Sequence, residues 1–174
     1  MKQMFIITAV ALAVWCMACE TAQAQGAPNA EAMGWRIGCQ AYSFNKFTFF
    51  EAVDKNASLG LKWIEAYPGQ KISKDMEGTL DQNMSPELQK VVLDKLKSAG
   101  VKMVCYGVVD LPGKEADARK VFDFAKAMGI ETIVSEPKPK DLPMLDKLAN
   151  EYGINIAIHT ADTYTLVNEL NGGL

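Results

Sequence analysis

The amino-acid sequence predicts an α/β fold of parallel strands, a partial (β/α)8 barrel of about five βα units, and three observations point there. Four times a helix-like stretch ends in glycine and runs at once into an apolar segment, at Gly60-Leu61, Gly100-Val101, Gly129-Ile130 and Gly153-Ile154. Glycine there suits the left-handed position that closes a helix, and the run behind it suits a buried strand. Within the strands one face is aliphatic and the other mixed. Ile154, Ile156 and Ile158 oppose Asn155, Ala157 and His159, and Ile64 and Ala66 oppose Trp63, Glu65 and Tyr67. Finally, Glu65, Tyr67, Glu136 and His159 gather at C-terminal strand ends, where α/β folds build ligand sites. Strict alternation of strand and helix implies right-handed crossovers. A mixed face favours a barrel wall over a doubly wound sheet, whose strands tend to be apolar throughout.

The elements follow in order. Residues 1–24 read as a secretion signal: Lys2 is the positive region, Met4 to Met17 the apolar region and Ala22-Gln23-Ala24 the cleavage pattern. This predicts a secreted or periplasmic protein, with a lipoprotein anchored at Cys19 as the alternative. Residues 25–35 are expected to be a linker and 36–174 the barrel domain. Strands are predicted at Ile37–Tyr42, Leu61–Tyr67, Lys102–Val108, Thr132–Glu136 and Ile154–His159. Thr48 leads into the first helix, Ser85-Pro86-Glu87 caps the second, the third starts near Gly113-Lys114-Glu115 and runs to Met128, and Asp141 precedes the fourth. A closed barrel usually needs ~250 residues, so five strands make an incomplete one. The tail from Ala161 to Leu170 is expected to form at most a short helix.

Composition narrows the function. With 49% apolar and 22% charged residues the chain can bury a core. A net charge of −3 leaves no basic surplus for phosphates, which argues against nucleic acid as a partner. The one long apolar run is the leader, so no membrane span is expected in the mature chain. No glycine-rich phosphate loop follows a strand, and no Gly-x-Ser-x-Gly elbow exists, so neither nucleotide binding nor a serine triad is inferred. Cys39 and Cys105 lie inside predicted strands, where an unpaired buried thiol is the commoner outcome.

Few residues are left to carry chemistry. His159 is the single histidine, and Glu136 ends the adjacent strand, so the two could converge on one divalent ion. Imidazole with carboxylate suits Zn, Mn or Fe better than Ca. The bland reading is a solvated Glu and an ordinarily hydrogen-bonded His. Glu65 between Trp63 and Tyr67 offers a carboxylate beside aromatic rings, which suits a sugar, or else is a buried Glu bonded to backbone. The polar stretch from Tyr67 to Met84 is far longer than a usual βα loop, and is either a cover for substrate or a solvated insertion. Lys71, Lys74, Lys138 and Lys140 are candidates for an anionic substrate.

The runs Gly38-Cys39-Gln40-Ala41-Tyr42-Ser43-Phe44, Trp63-Ile64-Glu65-Ala66-Tyr67, Ile133-Val134-Ser135-Glu136-Pro137 and Asn155-Ile156-Ala157-Ile158-His159 resemble the secreted sugar phosphate isomerase/epimerase group. That group belongs to the xylose isomerase-like TIM barrels, the endonuclease IV type included. The resemblance covers about residues 34 to 159. It implies a metal-dependent isomerase or epimerase that moves a proton next to a carbonyl of a small sugar, with Mn, Zn or Mg as cofactor. It implies Glu136 as metal ligand or catalytic base and His159 as metal ligand. Gln40, Tyr42, Glu65, Tyr67 and Lys138 are the expected substrate contacts. Similar proteins typically continue His-Asn-His where this chain has His159-Thr160-Ala161, and their later metal-bearing strands have no counterpart, so a C-terminally truncated and inactive copy is an expectation too. The alternative is a non-catalytic half-barrel, or carbohydrate-binding module, whose exposed edges pair with a second copy or another chain. A DNA-repair endonuclease ranks last, against the export signal and the negative charge.

Overall fold

The structure, a computed structural model, describes residues 26–159. The expected leader, Cys19 and the tail after His159 lie outside the described residues. Strands β1 (Gly38–Gln40), β2 (Trp63–Ala66), β5 (Lys102–Tyr106), β6 (Thr132–Ser135) and β7 (Asn155–Ile158) form one sheet in the order β1-β2-β5-β6-β7, every pair parallel. Strands β3 (Gln70–Lys71) and β4 (Thr79–Leu80) form a separate antiparallel pair. The helices are α1 (Pro28–Ala32), α2 (Phe49–Ser58), α3 (Pro86–Ser98), α4 (Glu115–Met128) and α5 (Leu142–Tyr152). This alternation is the partial (β/α)8-type arrangement that the sequence predicts.

Local chemistry sets the helix ends. Thr48 and Glu51 form a capping box at α2: the Thr48 hydroxyl accepts from the Glu51 N–H, and the Glu51 carboxylate accepts from the Thr48 N–H at 3.0 Å. Ser85 accepts from the Leu88 N–H at the start of α3, with Pro86 as its first residue. At the other ends Gly129 and Gly153 take φ of 70° and 65°, a region that residues with a Cβ enter only at a cost.

Helices α2 to α5 touch one another in chain order and cover one face of the sheet. Phe49, Val53, Val92, Leu96, Val121, Phe122, Leu145 and Leu148 are buried there against Ile64, Ala66, Met103, Tyr106 and Ile133. Each such side chain contributes ~1.5–3 kcal/mol of burial free energy. The opposite face carries one row of paired positions, Gln40, Glu65, Cys105, Thr132 and Asn155, each opposite the next across the ladder. At its lower end Arg36, ahead of β1, makes a bidentate ion pair with Glu131, ahead of β6, at 2.8 and 2.7 Å.

Four details differ from the sequence expectation or add to it. The strands are shorter, and Tyr42 sits not in β1 but in a 3-10 turn, Ala41–Phe44, that follows it. The expected linker contains α1, tied to β2's approach by Glu31 and Lys62 at 2.6 Å. The long segment after Tyr67 is not a solvated insertion: Ile72, Leu80 and Met84 are buried in the core beside the β3–β4 pair. A bulge between Ile64 and Glu65 shifts the β2–β5 register, so that Glu65 stands opposite Cys105. Cys39 and Cys105 are both free and partly buried. Among the described residues no helix is long and apolar enough to cross a membrane.

Candidate functional site

Strands β6 and β7 are paired in register from Thr132 with Asn155 to Ser135 with Ile158. The next residue on each strand is Glu136 and His159, so the ladder alone brings them side by side. His159 Nδ1 lies 2.6 Å from Glu136 Oε1, and the His159 N–H donates to the Ser135 carbonyl at 2.9 Å. Both side chains are about half exposed, at 44% and 52%. A carboxylate only accepts hydrogen bonds, so the ring nitrogen facing it carries the proton and Nε2 of a neutral ring keeps its lone pair.

Glu65 is the second acidic group on this face. Its Oε1 accepts from Gln40 Nε2 at 3.0 Å, and Gln40 Nε2 also reaches the Gly107 carbonyl at 3.4 Å. Burial raises the Glu65 carboxyl above its ordinary value, against the opposing pull of the Gln40 amide and of His159. Burial likewise raises the Cys105 thiol, and the neighbouring Glu65 carboxylate adds to that. A cavity of about 180 Å³ lies here, with Arg36, Gln40, Trp63, Glu65 and Cys105 in its wall.

The Tyr42 and Tyr67 rings stand edge to face, 5.1 Å between centroids and 76° between planes. Tyr42 is 57% exposed. Burial raises the Tyr67 hydroxyl. Lys138 is exposed in a neighbouring cleft of about 570 Å³ that it shares with Glu136, Lys114, Lys140 and Asp141. Lys74 is engaged elsewhere, by Glu51 at 2.6 Å, and Lys71 Nζ lies 3.5 Å from the Lys74 carbonyl.

The structure thus joins Gln40 to Glu65, Tyr42 to Tyr67 and Glu136 to His159, and leaves Lys138 in the adjoining cleft. Sequence reasoning missed the Gly107 carbonyl, Cys105 and Arg36 as parts of this face. Gly107 leaves one trace in the sequence, since a Cβ there would sit 2.3 Å from the Val134 carbonyl oxygen and only glycine fits.

The donor set can be tested against a divalent metal. Catalytic centres generally take three protein ligands. Glu136 and His159 supply two, and among the described residues no group of three His, Cys, Asp or Glu side chains is placed to hold an ion. The described residues alone do not complete such a site, so no chemical step is assigned to a metal here.

No family model matches the chain, and no curated protein matches it. Solved structures do. An uncharacterised protein from Parabacteroides distasonis ATCC 8503 is similar with a TM-score of 0.69 and 27% identity, over 80% of this chain and 60% of that one. A sugar phosphate isomerase/epimerase from the same organism gives a TM-score of 0.49 and 14% identity, over 70% of this chain and 49% of that one. The chain therefore spans about half to three fifths of the length of these two structures. The first likeness supports the fold, a parallel sheet with alternating helices.

Proposed function

We propose that the rim of this sheet transfers a proton next to the carbonyl of a small sugar, isomerising or epimerising it. The observation that carries this reading is the 2.6 Å contact between His159 Nδ1 and Glu136 Oε1, on the face that also presents Glu65. His159 Nε2, oriented through Glu136, takes the proton from the carbon beside the carbonyl. The C–H electron pair moves into a carbon–carbon double bond and the carbonyl oxygen becomes an enediolate oxygen. Water protonates that oxygen, and the Glu65 carboxylate accepts a ligand hydroxyl. Protonation of the former carbonyl carbon by the His159 imidazolium, with the neighbouring hydroxyl giving its proton to water, isomerises the sugar, and protonation of the original carbon by water from the other side epimerises it. Gln40, Tyr42 and Tyr67 hold ligand hydroxyls and C–H faces, and Lys138 meets a ligand oxygen from the cleft beside Glu136. Export of the mature chain, as its leader suggests, belongs to the same proposal.

A divalent ion, Mn, Zn or Mg, would polarise the carbonyl if a further donor joined Glu136 and His159. Titration calorimetry with each metal tests that directly: stoichiometric binding lost in His159→Ala supports it, and no binding at millimolar metal removes it. The catalytic reading is tested by incubating aldoses and ketoses in deuterated water, with and without metal, and following exchange beside the carbonyl by proton NMR. Exchange that disappears in His159→Ala is expected, and no exchange with any sugar would remove the reading.

A second reading is a non-catalytic half-barrel that pairs with a second copy. It is favoured by one observation: among the described residues β1 and β7 end the sheet, and Ile158 on β7 is 38% exposed. Size-exclusion chromatography showing a folded monomer would count against it.

A further inference from the structure

We propose that the cavity beneath Gln40 and Glu65 takes an uncharged polyhydroxylated ligand, a sugar without a phosphate, bound as hydroxyl donor to the Gln40 side-chain carbonyl and the Glu65 carboxylate. This rests on the reading of the rim as a sugar site, and it goes further by excluding a charged substrate. The orientation of Gln40 is set by its partners. The Glu65 carboxylate and the Gly107 carbonyl both only accept hydrogen bonds, so the amide nitrogen faces them, at 3.0 and 3.4 Å. The opposite atom, Gln40 Oε1, has no donor partner among the described residues, and one oxygen of Glu65 is likewise unengaged. The wall of the 180 Å³ cavity therefore presents acceptors on strands β1 and β2, side by side.

Charge excludes an anion. Arg36 is the one cation in that wall, and both arms of its guanidinium are taken by Glu131 at 2.8 and 2.7 Å. Glu65 adds a negative group that an incoming phosphate would have to approach. The adjoining cleft offers no refuge for a phosphate either: Lys114, Lys138 and Lys140 are matched there by Asp110, Asp117, Glu136 and Asp141. A hydroxyl-rich neutral molecule meets none of these penalties, and each hydroxyl it donates replaces a bond to water.

Ligand-observed NMR titration with glucose and fructose, and with their 6-phosphates at matched ionic strength, tests this without any turnover. A failure of the catalytic reading is thereby kept separate from a failure of this one. The neutral sugars are expected to bind at least about tenfold more tightly than their phosphates. Gln40→Leu should weaken neutral-sugar binding about tenfold, because it leaves a hydroxyl unpaired. Glu65→Gln keeps the shape and an acceptor but removes the charge, and should narrow the gap between sugar and phosphate even if Gln40→Leu proves unstable on thermal unfolding. Phosphates binding as tightly as the sugars, a gap unchanged in Glu65→Gln, or no binding by any of the four would overturn the proposal.

Discussion

Glu136 and His159 meet at 2.6 Å because β6 and β7 run in parallel register through Ser135 and Ile158, one residue short of each. The pair is a product of the ladder and needs no special loop. A carboxylate at Nδ1 fixes which imidazole nitrogen is free. If that free nitrogen is the base, Glu136→Gln replaces an acceptor-only carboxylate by an amide that can accept or donate, and so lets the ring change tautomer or turn. The rate of proton exchange beside the sugar carbonyl should fall by about 10²-fold to 10⁴-fold, with the unfolding midpoint little changed because both groups are half exposed. An exchange rate within a few-fold of the native protein would sink the role given to Glu136.

Burial raises the Glu65 carboxyl, so the folded chain holds a proton there over an interval above the ordinary glutamate value of about 4.3. Stability from this group is fully present below about pH 4.3 and is lost as the pH rises through its raised folded value. Glu65→Gln has no such loss. In urea titrations the variant should therefore gain on the native protein between about pH 4 and pH 7. Glu51 behaves oppositely, since Lys74 and the Thr48 N–H and hydroxyl hold its carboxyl down to about 2. Its contribution is the same in both proteins and cancels from the difference. A constant gap across the range would show that Glu65 titrates alike in the folded and unfolded chain.

Much of this is legible in the sequence, and the reasons are local. Gly60, Gly100, Gly129 and Gly153 all adopt positive φ where the sequence places helix ends, because only glycine takes that conformation cheaply. The pairing of Glu136 with His159 was legible because each ends a predicted strand, Thr132–Glu136 and Ile154–His159, that follows a helix-closing glycine. What was hidden depends on contacts distant in sequence. Tyr42 leaves the strand pattern because the chain turns at Ala41, which is itself fully buried, and strand periodicity does not report such a turn. Two-residue strands such as β3 and β4 are too short to show a period at all. The Gln40–Glu65 bond and the Arg36–Glu131 pair require a known register between strands, and the bulge after Ile64 altered the register next to Glu65.

The segment after Tyr67 provides a stability test. Leu80 and Ile72 are fully buried, although they sit in a stretch dominated by polar residues. Leu80→Ala should cost about 2–5 kcal/mol, as for any buried large-to-small change. Lys74→Ala, in the same segment, removes only an exposed ion pair with Glu51 and should change stability by less than about 1 kcal/mol. Urea denaturation of the two variants compares them directly. Equal effects would mean that the segment is not part of the core.

Asn56 is buried completely and joins three elements. Its Oδ1 accepts from the Cys39 N–H in β1 at 3.3 Å, and its Nδ2 donates to the Leu61 carbonyl at 2.9 Å, just ahead of β2. Asn56→Ala takes the side-chain partner from both backbone groups, and should cost about 2–4 kcal/mol in chemical denaturation. Asn56→Leu, which refills the volume but not the bonds, should recover little of it. Full recovery by leucine would show that packing, and not the two hydrogen bonds, holds α2 to the sheet.

Gly38 allows β1 to approach β2 closely enough for Gln40 to reach Glu65. A Cβ at residue 38 would lie 2.2 Å from the Trp63 carbonyl oxygen and 2.7 Å from its carbon, both backbone atoms that no rotamer change can move. Gly38→Ala must therefore push the two strands apart, at a cost of about 1–3 kcal/mol typical of overpacking. The same displacement lengthens the 3.0 Å bond between Gln40 and Glu65 and removes the donor that favours the charged carboxylate. The Glu65 titration, followed by carboxyl carbon NMR, should move upward in Gly38→Ala and likewise in Gln40→Leu. If the alanine variant unfolds at the native urea concentration and keeps the native Glu65 midpoint, the close approach of β1 to β2 is not what positions this carboxylate.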